Sequence, residues 1–304
     1  MNKNPKKKYK DESYFKPEIC PFCVSQKIIR WGFRYNCTTK KRRYKCKECG
    51  NTFVLDDGFF KMRKKREMIS ACLDLYMNGM SLRKISSHVK QFGEKTVSHV
   101  AVLKWLRKYS IFLKKYTDGL IIKTSGTYHA DEIFVSCLGK QTYFWDIIDR
   151  STRFLVSTNL SKNRDIKGAI SLLQEASRKT WLPEVVFTDG LSSYSNAFRE
   201  IRKYNSSWEG VDHVRVIDKL DYRNNIVERI QGTIRERIKV MRGFNSFDSS
   251  KLILDLFTIW YNFIRVHQGI GMTPSEKAGI RLNLGQNKWL GLIYRSKIED
   301  IIRV

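Results

Sequence analysis

The sequence lacks long apolar runs and is short of acidic side chains. No stretch reaches 18 consecutive apolar residues, so we predict no membrane-spanning helix. The charged N-terminal segment is not followed by an apolar stretch, so we expect no signal peptide. Cysteine is also sparse, with seven residues in 304. Without a secretory signal, an odd number of cysteines favours reduced thiols in a cytosolic compartment over a disulfide framework.

The shortage of acids leaves a large positive charge. The chain has 57 Lys and Arg residues against 30 Asp and Glu, which gives a net charge of +27, and its hydrophobic content of 42% is typical of folded proteins. Residues 1–118 carry 29 basic and 10 acidic side chains and therefore hold 19 of the 27 net charges. This distribution favours a nucleic acid as partner over a membrane, with residues 1–18 forming a basic tail.

Four cysteines form two CxxC pairs that are separated by 22 residues. Each pair can place two thiolates on one tetrahedral Zn²⁺ from a tight turn, and short alternating runs between the pairs predict small strands. We therefore predict a zinc ribbon over residues 19–60 with one structural zinc and no open coordination site. The predicted ligands are Cys20, Cys23, Cys46 and Cys49. Cys37 is predicted to be a bystander, and Arg42 and Arg43 are predicted to contact DNA.

Residues 61–118 show helical periodicity in three short segments. Asn78-Gly79 and Phe92-Gly93 separate the segments, and the third carries Lys104 on a side predicted to be exposed. Three short helices with a glycine-containing turn are typical of a helix-turn-helix module, in which Lys104 would contact DNA. A plain helical spacer remains an alternative.

From residue 127 the pattern changes to strands. Three apolar runs with short turns, a helix, a strand, a second helix, another strand and a long helix follow in that order. This order predicts an α/β domain of the ribonuclease H-like fold, with a mixed five-stranded sheet and flanking helices, over residues 122–280. Residues 281–304 are predicted to form a C-terminal tail.

Three acids stand where that fold places metal ligands. Asp131 lies within the first strand, Asp189 ends the fourth strand, and Glu228 lies in the first turns of the long helix. A carboxylate inside an apolar strand needs a partner or a metal, and three such groups can hold two Mg²⁺ ions. By alternation Glu132 should point to the opposite face of its strand from Asp131. Asp146 and Asp149 are interpreted as structural or turn acids.

The long helix has two different sides. At about 100° per residue, Asn225, Arg235 and Lys239 lie on the same side as Glu228, while Ile226 and Ile230 lie opposite. An acid for metal followed by cations for DNA phosphate is typical of an active-site face, although an ordinary amphipathic helix would look similar.

Four motifs of this region resemble the DDE transposase and retroviral-integrase superfamily, particularly insertion-sequence transposases of prokaryotes. His129-Ala-Asp131-Glu132, Thr188-Asp189-Gly190 and Asn224-Asn225-Ile-Val-Glu228-Arg229 resemble the three acid motifs. The acids are separated by 57 and 38 residues, the second spacing being slightly longer than the family's usual one. A fourth motif near residues 261–276 resembles the close of these domains, so that the resemblance covers roughly residues 125–280.

The resemblance implies a DNA transposase with two Mg²⁺ or Mn²⁺ ions on Asp131, Asp189 and Glu228. It implies cleavage of element ends and transfer of the 3′-hydroxyl into target double-stranded DNA by a dimer or a larger synaptic complex. Arg235 is expected to contact DNA near the scissile phosphate, and His129 and Asn225 to orient the acids. A cytoplasmic, nucleoid-associated location follows. Two alternatives remain: a catalytically silent DNA-binding protein derived from a transposase, and a nuclease that only hydrolyses.

Overall fold

A computed structural model describes residues 17–35, 40–59, 62–92, 96–217 and 225–302. Cys37, Asn224 and most of the predicted basic tail lie outside these ranges. The chain divides into two compact units, residues 1–70 with 293–304, and residues 71–292. In the described ranges, no helix combines the length and the apolarity that crossing a membrane requires.

The smaller unit contains a three-stranded antiparallel sheet of β1 (Ile28–Tyr35), β2 (Lys40–Cys46) and β3 (Thr52–Val54), in that order. Its core is small: the buried side chains of Cys20, Tyr44, Cys46 and Phe53 pack together with two half-buried aliphatic residues. A core of this size supplies little folding energy, so such a module needs an additional source of stability.

Three helices follow, α1 (Arg66–Met77), α2 (Leu82–Phe92) and α3 (His99–Thr117). The three predicted helices are therefore present, and α3 begins after Ser98, whose side chain accepts a hydrogen bond from the backbone of Ala101 at 3.2 Å. Within the larger unit, α3 contacts a later helix: the Ser110 hydroxyl donates to the carbonyl of Leu252 at 2.5 Å. The helical segment from residue 71 onward is thus counted in the same compact unit as the central sheet.

The larger unit is built on a five-stranded sheet. The strands are β4 (Thr127–Cys137), β5 (Lys140–Asp149), β6 (Leu155–Ser161), β7 (Val185–Thr188) and β8 (Asp212–Arg215), in the order β6-β5-β4-β7-β8. The first three form an antiparallel meander, and β7 and β8 are parallel to β4. This is the mixed sheet of the predicted ribonuclease H-like fold.

Helices cover both faces of this sheet. Those that contact its strands are α4 (Ile166–Lys179), α6 (Asn225–Met241) and α7 (Phe247–Ile259), and α5 (Ser192–Tyr204) packs on α4. The short α8 (Pro274–Lys277) and α9 (Lys288–Ile302) follow along the chain. Gly168 of α4 lies against Trp145, which is paired with Glu132 across β4 and β5. Cross-strand partners share a face, so α4 covers the face that bears Glu132.

The register of β4 and β7 creates an opening in the sheet. Their pairing ends at Ala130 and Thr188, whereas β4 continues to Cys137 in contact with β5. Asp131, Glu132 and Asp189 therefore follow the last paired residues of their strands. Ligand sites commonly form where the strands of such a sheet end in this way.

Candidate active site

Three carboxyl groups converge at this opening. One carboxylate oxygen from each of Asp131, Glu132 and Asp189 can be chosen so that all three lie within 4.8 Å of one another. Asp189 is half-buried, and its Oδ1 accepts a hydrogen bond from the backbone N–H of Leu191 at 2.9 Å. Two of the three predicted metal ligands, Asp131 and Asp189, are thus brought together, and Glu132 joins them.

Glu132 reaches the cluster from the other face of the sheet. Asp131 is paired with Asp146, whereas Glu132 is paired with Trp145, so that the two acids point to opposite faces as strand alternation predicts. They still approach each other because no strand is paired with this part of β4 on the β7 side. The two side chains thus alternate as expected, but β7 ends before this point and no longer separates the two faces of the sheet.

The acids perturb one another strongly. Burial, followed by the negative charges of Glu132 and Asp189, raises the pKa of Asp131 from 3.8 to about 7. The backbone N–H of Glu132, which donates to Asp131 Oδ1 at 2.8 Å, opposes this shift. A cluster of carboxylates with too few hydrogen-bond donors is stabilised either by protonation or by binding a cation.

Asp146 adds a fourth carboxyl group to this cluster. It lies on β5 opposite Asp131, is fully buried, and neither of its oxygens has a hydrogen-bond partner within the described ranges. Burial and the charges of Asp131 and Glu132 raise its pKa well above the ordinary value. Gln231 of α6 is close enough to lower the pKa of both Asp131 and Asp146, which places α6 on this face of the sheet. The interpretation of Asp146 as an ordinary structural acid missed this proximity.

Glu132 has partners that Asp131 lacks. Arg164 Nε donates to Glu132 Oε1 at 2.5 Å, and its Nη2 also pairs with this carboxylate. The hydroxyl of Tyr194, a fully buried residue of α5, donates to Glu132 Oε2 at 3.2 Å. Arg164 Nη2 lies 3.7 Å from Asp189 Oδ2 as well. One guanidinium therefore links the Glu132 side of the cluster to Asp189.

The predicted polar side of α6 is exposed. Asn225, Glu228, Arg235 and Lys239 are all exposed, whereas Val227 and Ile230 are buried. Glu228 is not a member of the acid group formed by the described residues on β4 and β7. It precedes Gln231 by three residues, so the two side chains lie about 60° apart around the helix and about 4.5 Å apart along it. Glu228 therefore stands next to the face of α6 that meets Asp131.

His129 and Asp149 have separate surroundings. His129 is buried, and its ring stacks on that of Phe187 at 5.0 Å. Burial, and then the charge of Arg150, lowers the pKa of His129 to about 4. Asp149 accepts hydrogen bonds from the backbone and hydroxyl groups of both Ser125 and Thr152, as expected for a turn acid.

The smaller unit holds a second ligand cluster. One Sγ atom from each of the four predicted cysteines lies within 4.8 Å of all the others. The Cys20–Cys49 and Cys23–Cys46 sulfur distances are 3.7 and 3.5 Å. A tetrahedron with Zn–S bonds of about 2.3 Å has edges of about 3.8 Å, so the spacing suits one zinc ion. The backbone N–H of Cys49 is the main cause of a lowered pKa at Cys46, which favours the thiolate form that binds metal.

The residues predicted to contact DNA in the N-terminal half are on the surface or close to it. The guanidinium of Arg42 lies over the ring of Phe33, with 3.8 Å to the ring centroid. Arg43 is exposed on β2 and donates to the Thr52 hydroxyl at 3.0 Å. Lys104 is exposed on α3.

Sequence reasoning missed Arg164, Tyr194 and Gln231. Arg164 lies in a polar turn and Tyr194 in an amphipathic helix, where neither residue type is unusual. Gln231 carried a weak signal, because a neutral polar residue falls on the side of α6 that also bears the buried Val227 and Ile234. None of the three has a local sequence pattern that indicates a partner 32 to 100 residues away.

The solved structures that resemble this chain do so with low TM-scores and low sequence identity. The simian T-cell lymphotropic virus intasome in complex with PP2A regulatory subunit B56 gamma is 17% identical with a TM-score of 0.42, over 53% of this chain and 55% of that chain. The HTLV-2 integrase catalytic core domain in complex with magnesium, in its trimeric form, is 15% identical with a TM-score of 0.40, over 53% and 99%.

Sequence relatives match over most of their length. A transposase for insertion sequence-like element IS431mec of Staphylococcus aureus is 22% identical over 74% of this chain and 98% of the relative. The uncharacterized protein MJ0017 of Methanocaldococcus jannaschii is 27% identical over 68% of this chain and 91% of the relative. Residues 125–267 match the family model of a DDE domain. This segment, which carries the five-stranded sheet and the acid cluster, therefore matches the DDE domain family, and the chain is similar in sequence to an insertion-sequence transposase.

Proposed function

We propose that this chain is a DNA transposase that cleaves the ends of an insertion sequence and joins their 3′-hydroxyl groups to target DNA. The observation that carries this proposal is the cluster of Asp131 and Asp189 at the opening of the sheet, inside a DDE domain. Both residues stand in motifs that resemble the first two acid motifs of the DDE family. The net charge of +27 supports a polyanionic substrate.

The donor set at this site suits divalent cations. Oxygen ligands from carboxylates are those that Mg²⁺ and Mn²⁺ prefer. The pKa of Asp131 is raised, and the buried Asp146 carboxyl has no hydrogen-bond partner among the described residues, so this site has too little positive charge to balance its acids. A cation held by Asp131 and Asp189 would remove that deficit.

Glu228 is proposed as the third ligand, although it lies outside the acid cluster. Support comes from α6, whose next turn carries Gln231 against Asp131 and Asp146. Since Glu228 is exposed, its carboxylate has the rotamer freedom to turn toward the cluster. His129 and Asn225 are proposed to support the acids from the neighbouring positions of β4 and α6.

When bound, two such cations would activate a water or a DNA 3′-hydroxyl and stabilise the leaving 3′-oxygen. Asp131, Asp189 and Glu228 would hold them. Arg235 and Lys239 continue the exposed side of α6 beyond Glu228 and would contact the phosphates of the strand that is cut. Because both side chains lie on one side of the helix, they would also orient the DNA backbone along α6.

The N-terminal modules are proposed to recognise the DNA ends. The four-cysteine cluster would hold one structural zinc and so stabilise the small ribbon. Arg42 and Arg43 of the ribbon and Lys104 of α3 would supply phosphate contacts. Because two ends must be joined, we propose that the protein acts as a dimer or larger assembly.

Strand transfer in Mg²⁺ tests this function. DNA ends taken from the flanks of the gene are incubated with target DNA, and joined products are counted. Asp189→Asn should abolish cleavage and joining while sparing DNA binding, and Glu228→Gln should do the same. Glu236→Gln is the matched control, since Glu236 is an exposed acid of the same helix. Full activity in the Asp189→Asn variant would remove the basis of the assignment.

A catalytically silent DNA-binding protein is the second candidate. The specific observation in its favour is the exposed Glu228, which lies apart from the acid cluster, while Arg164 is close to Asp189. In that case the wild-type protein binds DNA in a salt-sensitive way and neither cleaves nor joins it. Cleavage without joining would instead identify a nuclease that only hydrolyses.

A further inference from the structure

Arg164 is held by a buried acceptor beside the acid cluster. It lies in the turn between β6 and α4, and its Nε and Nη2 atoms both pair with Glu132. The Glu132 side chain is only 3% exposed, whereas that of Arg164 is 37% exposed. The guanidinium of Arg164 is thus held by Glu132 on its buried side and is accessible to solvent on the other side.

Tyr194 completes this arrangement. Its hydroxyl donates to Glu132 Oε2, so that Arg164 and Tyr194 together engage both oxygens of the carboxylate. The tyrosine ring is fully buried and packs edge-on against Trp145, with ring centroids 5.6 Å apart. A carboxylate held from two sides offers a rigid acceptor to the guanidinium.

Glu132 differs in this respect from the two aspartates. Asp131 and Asp189 accept hydrogen bonds from backbone N–H groups, and the Arg164–Asp189 distance of 3.7 Å is too long for a hydrogen bond. Glu132 already has a full positive charge on one side and a hydroxyl donor on the other. A buried acid that is compensated in this way has less need of a cation than Asp131 has.

We propose that Arg164 binds a phosphate group of the DNA strand that enters the acid cluster, and that Glu132 and Tyr194 hold its guanidinium in position rather than binding metal. This inference rests on the proposed function only in taking DNA as the ligand. The contacts of Arg164 with Glu132 and Asp189 use its Nε and Nη2 atoms, and the planar guanidinium carries further N–H donors that match phosphate oxygens. Its position beside Asp189 places that phosphate next to the reacting one.

The first test is DNA binding without cleavage. Fluorescence anisotropy of a labelled duplex is measured in Ca²⁺ over a series of KCl concentrations. Arg164→Gln should raise the Kd about tenfold and lower the slope of log Kd against log salt by about one. Arg178→Gln is the matched control, because Arg178 is an exposed arginine at the other end of α4. Equal effects of the two substitutions would overturn the proposal.

The second test asks whether Glu132 positions Arg164 or binds metal. Glu132→Gln should weaken DNA binding in the same direction as Arg164→Gln and leave Mn²⁺ affinity, measured by calorimetry without DNA, unchanged. Asp131→Asn should lose Mn²⁺ affinity. If Glu132→Gln loses Mn²⁺ to the same extent, Glu132 is a metal ligand and the proposal is wrong.

Two further variants guard against misfolding. Tyr194→Phe removes a single hydroxyl from the buried network and should raise the Kd for DNA in the same direction, by less than Arg164→Gln. Arg164→Lys keeps the positive charge but lacks the paired N–H donors of the guanidinium, and it should retain only part of the DNA affinity. If the wild type makes no joined product but Arg164→Gln still lowers DNA affinity, the proposed transposase function is wrong and the proposed phosphate contact of Arg164 stands.

Discussion

Replacing Asp131 by asparagine should make the metal-free protein more stable at pH 8. The substitution keeps the shape of the side chain and removes one negative charge from the cluster with Glu132 and Asp189. In the native state, burial and these two charges raise the pKa of Asp131 from 3.8 to about 7. An ionised Asp131 is therefore costly in the folded chain and harmless in the unfolded one.

The pKa shift fixes the sign and the size of the effect. Between pH 4 and about pH 7 the native state holds the Asp131 proton more tightly than the unfolded state, so the free energy of unfolding falls as the pH rises. Each unit of pKa shift corresponds to about 1.4 kcal/mol, which sets a ceiling of about 4 kcal/mol. Because Asp131 is only half-buried, solvent screening reduces the expected gain at pH 8 to about 2 to 4 kcal/mol.

Urea unfolding in EDTA at pH 5 and pH 8 measures this difference. Asp131→Asn should exceed the wild type in stability by less at pH 5 than at pH 8, because most of the pH range in which the wild type loses stability lies above pH 5. Asp212→Asn, which changes an exposed acid of β8, is the control for a charge effect without burial. Adding Mg²⁺ at pH 8 should stabilise the wild type and leave Asp131→Asn unchanged. Parallel pH profiles of the wild type and Asp131→Asn in EDTA would refute the reasoning.

Three further predictions concern the ribbon, the sheet and α6. Cys46→Ser should remove the zinc detected by mass spectrometry and unfold the ribbon, whereas Cys37→Ser should retain the metal. Gly168→Ala should destabilise the larger unit by about 1–3 kcal/mol in urea unfolding, despite the better helix propensity of alanine, because the new Cβ would lie 2.7 Å from Trp145. Lys239→Gln should weaken DNA binding at low salt and lower the salt slope by about one, with no difference from the wild type at high salt.

Elements with a strong local pattern were predictable from the sequence. The spacing of the two CxxC pairs predicted the cluster that brings Cys20 next to Cys49, and apolar runs joined by a short turn predicted the strands β4 and β5. The acid motifs predicted that Asp131 and Asp189 would meet, because both stand at the ends of neighbouring strand pairings. In each case the signal lies within a short stretch of chain, where periodicity or ligand spacing determines the structure.

The partners of the site were not predictable in this way. Asp146 meets Asp131 only because β4 and β5 pair in one particular register, and a shift by one residue would place it on the other face. Arg164 reaches Glu132 from a turn 32 residues later in the chain. Such contacts depend on tertiary packing, which local propensity and motif spacing do not determine.

The two faces of the sheet explain why adjacent acids carry different roles in this proposal. Asp131 points toward α6, where Gln231 supplies only a weak neutral partner, so its charge remains uncompensated. Glu132 points toward α4 and α5, where Arg164 and Tyr194 compensate its charge. Since both carboxylates reach the same opening, metal and phosphate sites can lie side by side at the end of β7. A single dipeptide in β4 would then contribute a metal ligand through one residue and an anchor for a DNA contact through the next.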